Sequence, residues 1–363
     1  MRRYTLERPM TRERSDPLAS ADADLAACRE LLRNGSRTFL AASRMLPAAV
    51  RDPACALYAF CRVADDAVDG GERDARAVER LRERLARAYA GRPVAHPADR
   101  ALAAVVERFA IPRALPEALL EGFDWDAAGR RYESLQALCD YAARVAGSVG
   151  AMMALLMGAR EPAALARACD LGIAMQLSNI ARDVGEDARA GRLYLPLQWL
   201  REAGVDAEAW LSAPKPGPGL AAVVQRLLVE ADRLYDRAGD GITHLPLACR
   251  PGINTARVLY REIGHEVRRR GLNPVDARAV VSPARKLGGL ARALVLPRSA
   301  PGAAASPPLP AAHFLVQAVQ AAAAPPTTPG PVAWWQVTRG AVRTIELFER
   351  LERRDPWFSR RLA

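Results

Sequence analysis

An all-α fold is predicted for this chain of 363 residues by three observations. Ala, Leu and Arg dominate, and all three favour helix. Aromatic residues make up only 6% of the chain and β-branched residues seldom run together, which removes the ordinary strand signal. Gly and Pro punctuate the sequence at intervals of ordinary helix length. Half of the residues are hydrophobic, enough to build a substantial core.

Taken in order, residues 1–20 are basic and lack an apolar stretch, so a flexible N-terminus is expected and a secretory signal is not. Residues 21–296 read as one helical domain. Breaks are expected at Asn34-Gly35, Pro47, Asp52-Pro53, Gly70-Gly71, Gly91 to Pro97, Pro112, Pro116, Gly158, Pro162, Gly191 and Pro196. Further breaks fall at Pro214 to Gly219, Pro251-Gly252, Gly271 and Pro283. Over residues 297–333 the composition shifts to Pro, Ala, Ser and Thr, a flexible linker interrupted by the apolar segment HFLVQAVQ. Residues 334–363 contain a final amphipathic helix from about Trp335 to Arg354, with Val342, Ile345, Leu347, Phe348 and Leu351 near helical spacing. Docking on the domain's own surface is favoured for it over lying on a membrane.

The net charge of +11 comes almost entirely from Arg. No zinc-finger spacing, RNP-like stretch or basic-region heptad pattern accompanies it, so a nucleic-acid role would rest on charge alone. Anionic lipid or a phosphorylated substrate suits the same surface. The six cysteines form no CxxC pair and mostly sit in apolar helical patterns, as in a reduced, cytoplasmic setting. No apolar stretch is long and charge-free enough to span a bilayer. The four histidines show no ligand spacing, and no Ser-His-Asp arrangement, GxGxxG or Walker loop is evident. The run GSVGAMMALLMG spaces its small residues helically, for close helix packing or an apolar cavity rather than a phosphate cradle.

Two constellations carry chemistry. In ALYAFCRVADDAVDGGE, Asp65 and Asp69 lie four apart and share a helix face, with Asp66 beside them. Like charges at this spacing disfavour a helix. The apolar turns before them place the cluster near a core surface, where a hard cation such as Mg²⁺ would supply the missing counter-charge. An acidic helix end in water is the competing reading. In AMQLSNIARDVGEDARAGRLYLP, Asn179, Asp183, Glu186 and Asp187 form one polar stripe opposite Met175, Leu177 and Ile180, with Arg182, Arg189 and Arg192 at hand. Carboxylates for Mg²⁺ and arginine forks for phosphate are what a diphosphate site needs. One DxxxD is weak evidence. Two, over a hundred residues apart on separate helices, make a clamp that can hold metal ions between helix walls.

These two stretches closely resemble the signature regions of the squalene/phytoene synthase family, its bacterial phytoene branch above all. The resemblance runs from about Ser36 to Lys286 and includes GSRTFLAASRMLP, YAARVAGSVGAMM, the stretch around Asp126, Arg131 and Tyr132, and THLPLACRPGINTARVLYREI. It implies a single all-α isoprenoid-synthase domain enclosing a central cavity, plus the linker and C-terminal helix already described. It further implies that Asp65, Asp69, Asn179, Asp183 and Asp187 bind several Mg²⁺ ions, with Mn²⁺ a possible substitute, and that Glu186 assists. By the same resemblance Arg62, Arg182 and Arg192 face the diphosphate, with Gln176 and Asn179 also on the substrate. Ser36, Arg37 and Thr38 close over it, and Arg257 lines the farther diphosphate site. Tyr58 and Tyr141 are placed at the reacting carbons; residue chemistry alone favours a buried Tyr with one hydroxyl partner, and the resemblance reverses that for Tyr141 more than for Tyr58.

The implied reaction is head-to-head condensation of two geranylgeranyl diphosphates through a cyclopropyl diphosphate, without NADPH. The implied setting is a cytoplasmic monomer held peripherally at the inner membrane, with no nucleic-acid partner. A squalene- or dehydrosqualene-type synthase using farnesyl diphosphate is the nearest alternative, and a family-derived assembly factor without catalysis a more distant one.

Overall fold

A computed structural model describes residues 17–35, 37–69, 76–293 and 306–323. Ser36 and the side chains of Arg37, Thr38 and Asp69 lie outside the described residues, as does the helix expected near Trp335. All regular structure among the described residues is helical.

The chain opens with α1 (Pro17–Gly35), α2 (Arg37–Arg44) and α3 (Ala48–Asp69), followed by α4 (Ala77–Tyr89), α5 (Pro97–Arg108) and α6 (Ala114–Ala127). Next come α7 (Leu135–Ala142), a π-helical turn over Ala143–Gly147, α8 (Ser148–Leu156) and the long α9 (Pro162–Arg189). Two short helices, α10 (Leu197–Glu202) and α11 (Ala207–Ser212), precede α12 (Pro218–Gly241), α13 (Arg250–Arg269), α14 (Pro283–Ala293) and α15 (His313–Ala321).

The starts and stops have local causes. The Ser134 hydroxyl accepts from the Ala137 amide at 3.2 Å and starts α7, while the Asp206 carboxylate accepts from the Ala209 amide at 2.8 Å and starts α11. Pro162 and Pro218 open α9 and α12, where a missing N–H costs nothing. Pro53, expected to mark a break, instead lies inside α3. Only five helical residues precede it, so it forfeits little of the hydrogen-bond ladder.

The core is built around α9, which packs against α8, α12, α13 and the π-turn. Its buried residues lie all round its axis, the pattern of a helix enclosed by others. Two glycines set how closely α9 is approached. A Cβ on Gly172 would lie 2.2 Å from the Ala146 carbonyl oxygen, and one on Gly150 would lie 2.2 Å from that of Ala168. Backbone meets backbone at both crossings, so the small residues noted in GSVGAMMALLMG do permit close packing.

The segment 306–323 falls inside the compositional linker, yet it is ordered against the core. Leu315, Val316 and Val319 of α15 are buried, and the helix packs on α6, α8 and α9. Gln320 donates to the Arg160 carbonyl at 2.8 Å. All six cysteines are free thiols, five of them buried. Among the described residues no helix is long and apolar enough to cross a membrane.

Candidate active site

Two cavities adjoin at the centre of the bundle. One, of about 330 Å³, is polar and lies between α3 and α9. The other, of about 260 Å³, is apolar and follows α9 toward its N-terminus. Tyr58, Cys61, Val145, Gln176 and Asn179 line both.

Helix α3 brings Arg62 and Asp65 to the polar cavity, and α9 brings Gln176, Asn179, Asp183 and Asp187. The two acidic stretches therefore face each other across one space, as their repetition in the sequence suggested. Arg62 pairs with Asp66 at 2.5 Å and approaches Asp65 at 3.6 Å. Asp183 is held by its neighbour Arg182 (Nε to Oδ1, 2.7 Å) and by Arg278, whose Nε lies 2.8 Å from Oδ1. Arg278 also reaches Glu186 at 3.5 Å. Arg182 thus braces a carboxylate and is absent from the cavity wall, whereas Arg192 lines it.

Arg192 arrives there because α9 ends in a tight reversal. Gly191 takes φ of +73°, a conformation that favours glycine, and the Arg192 amide donates to the Asp187 carbonyl at 2.8 Å. The same turn delivers Tyr194. Its hydroxyl donates to Asp126 at 2.7 Å, and that of Tyr141 donates to the other oxygen of Asp126 at 2.9 Å. The rings of Tyr132, Tyr141 and Tyr194 pack together, with centroids 5.2 to 6.2 Å apart. Burial pushes the Asp126 carboxyl up to about 6, against the opposing pull of the two phenols. Tyr58 stacks on Phe39 at 5.4 Å, and burial raises its hydroxyl to about 12.

Among the described residues no three His, Cys, Asp or Glu side chains converge closely enough to hold an ion by themselves. The donor set still fits Mg²⁺, which takes one or two carboxylates and completes its shell with phosphate oxygens and water. Burial, then the nearby charge of Asp183, drives the Asp187 carboxyl up to about 7. Arg192 opposes that rise without reversing it, and a divalent cation would supply the further positive charge.

Arg257 lines neither cavity. It donates to the Tyr235 carbonyl at 3.2 Å and to Asn254 at 3.2 Å. Sequence reasoning missed Tyr194, Arg278 and Tyr260, which lines the apolar cavity, and gave Asp126 no role. Tyr194 lies in the quoted GRLYLP stretch and Tyr260 in VLYREI, so both were visible as residues. Nothing local marks Arg278, which meets Asp183 across 95 positions of chain.

The squalene/phytoene synthase family profile matches residues 32–285. A phytoene synthase of Rhodobacter capsulatus is 60% identical over 270 residues, spanning 74% of this chain and 80% of that protein. A phytoene synthase of Cereibacter sphaeroides is 55% identical over 313 residues, spanning 82% of this chain and 88% of its own length. The crystal structure of a dehydrosqualene synthase in complex with ligand superimposes with a TM-score of 0.71 at 32% identity, covering 77% of this chain and 98% of that one. An all-helical core, two facing acidic helices and this degree of identity lead to one assignment: the chain belongs to the squalene/phytoene synthase family.

Proposed function

We propose that the protein is a prenyltransferase of carotenoid biosynthesis, a phytoene synthase that joins two geranylgeranyl diphosphates head to head. The observation that carries this reading is the pair of adjoining cavities with a shared wall, one suited to diphosphate and the other to a prenyl chain. Identity of 60% to one phytoene synthase supports the product class. The farnesyl-using alternative draws on a dehydrosqualene synthase at 32%.

In this reading Asp65, Asp69, Asn179, Asp183 and Asp187 would hold Mg²⁺, and the bound ion would supply positive charge for the diphosphate oxygens. Arg62 and Arg192 bind the same oxygens from the cavity wall, and Arg182 holds the Asp183 carboxylate in place. Charge stabilisation where the leaving group develops is the main catalytic contribution. The first diphosphate leaves an allylic cation inside the apolar cavity. Attack by the second substrate's double bond, with loss of a proton, gives a cyclopropyl diphosphate. Ionisation of that compound, rearrangement and loss of a second proton give phytoene, so two diphosphates and two protons are released in all. Met153, Met157, Met175 and Leu171 exclude water that would quench the cation. Tyr141 stands beside the reacting carbons, with Asp126 fixing its hydroxyl. Arg37 and Thr38, with Ser36, would cover the diphosphate.

We further propose that the enzyme acts as a cytoplasmic monomer at the inner membrane face, because its hydrocarbon product partitions into lipid. Incubation of the purified protein with geranylgeranyl or farnesyl diphosphate and Mg²⁺, followed by product identification, tests the function. Phytoene from the longer substrate is expected; a product from farnesyl diphosphate alone, or none from either, would overturn it.

A further inference from the structure

The apolar cavity extends along α9 from Asn179 to Ala164, fifteen residues, or about 22 Å at the helical rise. Among the described residues that line it, Arg167 alone carries a charge. It sits near the end remote from Asn179 and is only 2% exposed.

Arg167 is fixed from several sides. Its Nε lies 2.9 Å from Asp170, which is fully buried. Its Nη2 donates to the Pro307 carbonyl at 3.2 Å. Arg237 donates to the same two groups, to Asp170 at 3.0 Å and to Pro307 at 2.9 Å. Behind it stands Gly241, where a Cβ would lie 2.2 Å from that of Arg167. Nη1 and, its ion pair with Asp170 aside, Nε are buried without a hydrogen-bond partner.

The neighbouring walls behave differently. Met153 and Met157 have flexible thioether chains that repack around a ligand. Arg167 cannot move aside without leaving Asp170 partly unpaired in a buried place, which is strongly unfavourable. We propose that Arg167 is the chain-length stop of the prenyl cavity, an end wall fixed by Asp170 and by the Pro307 carbonyl of the C-terminal segment. This rests on the prenyl synthase reading above. It assigns to residues beyond 285, where the family match ends, a part in substrate selection.

The test uses the full chain and three substrates, farnesyl, geranylgeranyl and geranylfarnesyl diphosphate, with Mg²⁺. Arg167→Ala is combined with Asp170→Asn so that the buried carboxylate is not left with Arg237 as its one ion-pair partner among the described residues. A companion carries Arg167→Met with Asp170→Asn and keeps the side-chain volume. The alanine variant is expected to raise the kcat/KM ratio of geranylfarnesyl to geranylgeranyl diphosphate by about tenfold or more, the scale of pocket-length discrimination. The methionine variant should keep the wild-type ratio. Thermal shift on binding each diphosphate is read in parallel, so a folded but slow variant still reports. An unchanged ratio and unchanged binding preference in the alanine variant would overturn the stop, and an equal shift in both variants would overturn its steric basis. Failure of the wild type on all three substrates would instead sink the prenyl synthase reading, and the stop with it.

Discussion

Replacing Asp126 with Asn should stabilise the protein while slowing it. The carboxyl accepts from Tyr141 and Tyr194 but is buried, and its pKa rises from an ordinary 3.8 to about 6. At 1.36 kcal/mol per pKa unit, ionising it in the folded state costs about 3 kcal/mol relative to the unfolded chain. The folded protein therefore holds its proton to higher pH than the unfolded chain does. Stability falls as pH rises from about 4 to about 6 and then levels. An amide has no charge to desolvate, and it can accept from one tyrosine and donate to the other. The variant should match wild type near pH 4 and exceed it by up to about 3 kcal/mol above pH 7, a gain of a few degrees in Tm. Unfolding midpoints of both proteins from about pH 4.5 to 8 provide the assay. Turnover should fall, because Tyr141 loses its anionic acceptor. A stability gap independent of pH, or a variant less stable than wild type at pH 8, would refute the assignment of Asp126 as a strained, ionisable centre.

Asp65→Ala and Asp183→Ala should each reduce turnover by roughly 100-fold or more with the helical circular dichroism retained; near wild-type activity in either would remove the metal assignment. EDTA should inactivate the enzyme and added Mg²⁺ restore it, measured as phytoene formed. Gly172→Ala pushes a methyl to 2.2 Å from the Ala146 carbonyl, where neither backbone can easily yield, and should cost about 1–3 kcal/mol in an unfolding titration. Ending the chain at residue 305 removes the buried side chains of Ala311, Ala312, Leu315, Val316 and Val319, the last three each contributing about 1.5–3 kcal/mol before ordering entropy is subtracted. Some catalysis should survive with a lowered Tm; an unchanged Tm would mean that α15 contributes nothing to the fold.

What the sequence disclosed follows from range. Helices are local, so Pro162, Pro218 and the small-residue spacing of α8 were readable directly. The polar stripe from Asn179 to Asp187 was equally plain, since a single helix carries all of it. Asp126 with Tyr194 was not, because 68 residues separate the partners and neither flanking pattern is unusual. Arg278 sits in a loop whose composition resembles any other arginine-bearing turn in this chain. The segment around Leu315 looked like linker because its flanks are rich in Pro and Ala, and only the tertiary surface of α6, α8 and α9 explains its order. The π-turn had no signal at all, since ARVAG suits an α-helix as well.

That turn fixes a rotational phase. Between Tyr141 and the residues of α8 the helix carries a wider turn over Ala143–Gly147, the kind that accommodates an extra residue. The turn absorbs that residue, so the flanking stretches keep the phase of a regular α-helix; a further residue inserted there, with no such turn to absorb it, would swing everything on one side by about 100° relative to the other. Tyr141 would then turn away from Asp126, or Val149 and Met153 would turn away from the apolar cavity; both could not stay. A further insertion in these five residues should therefore be far less tolerated than a substitution, although no side chain in the turn performs chemistry.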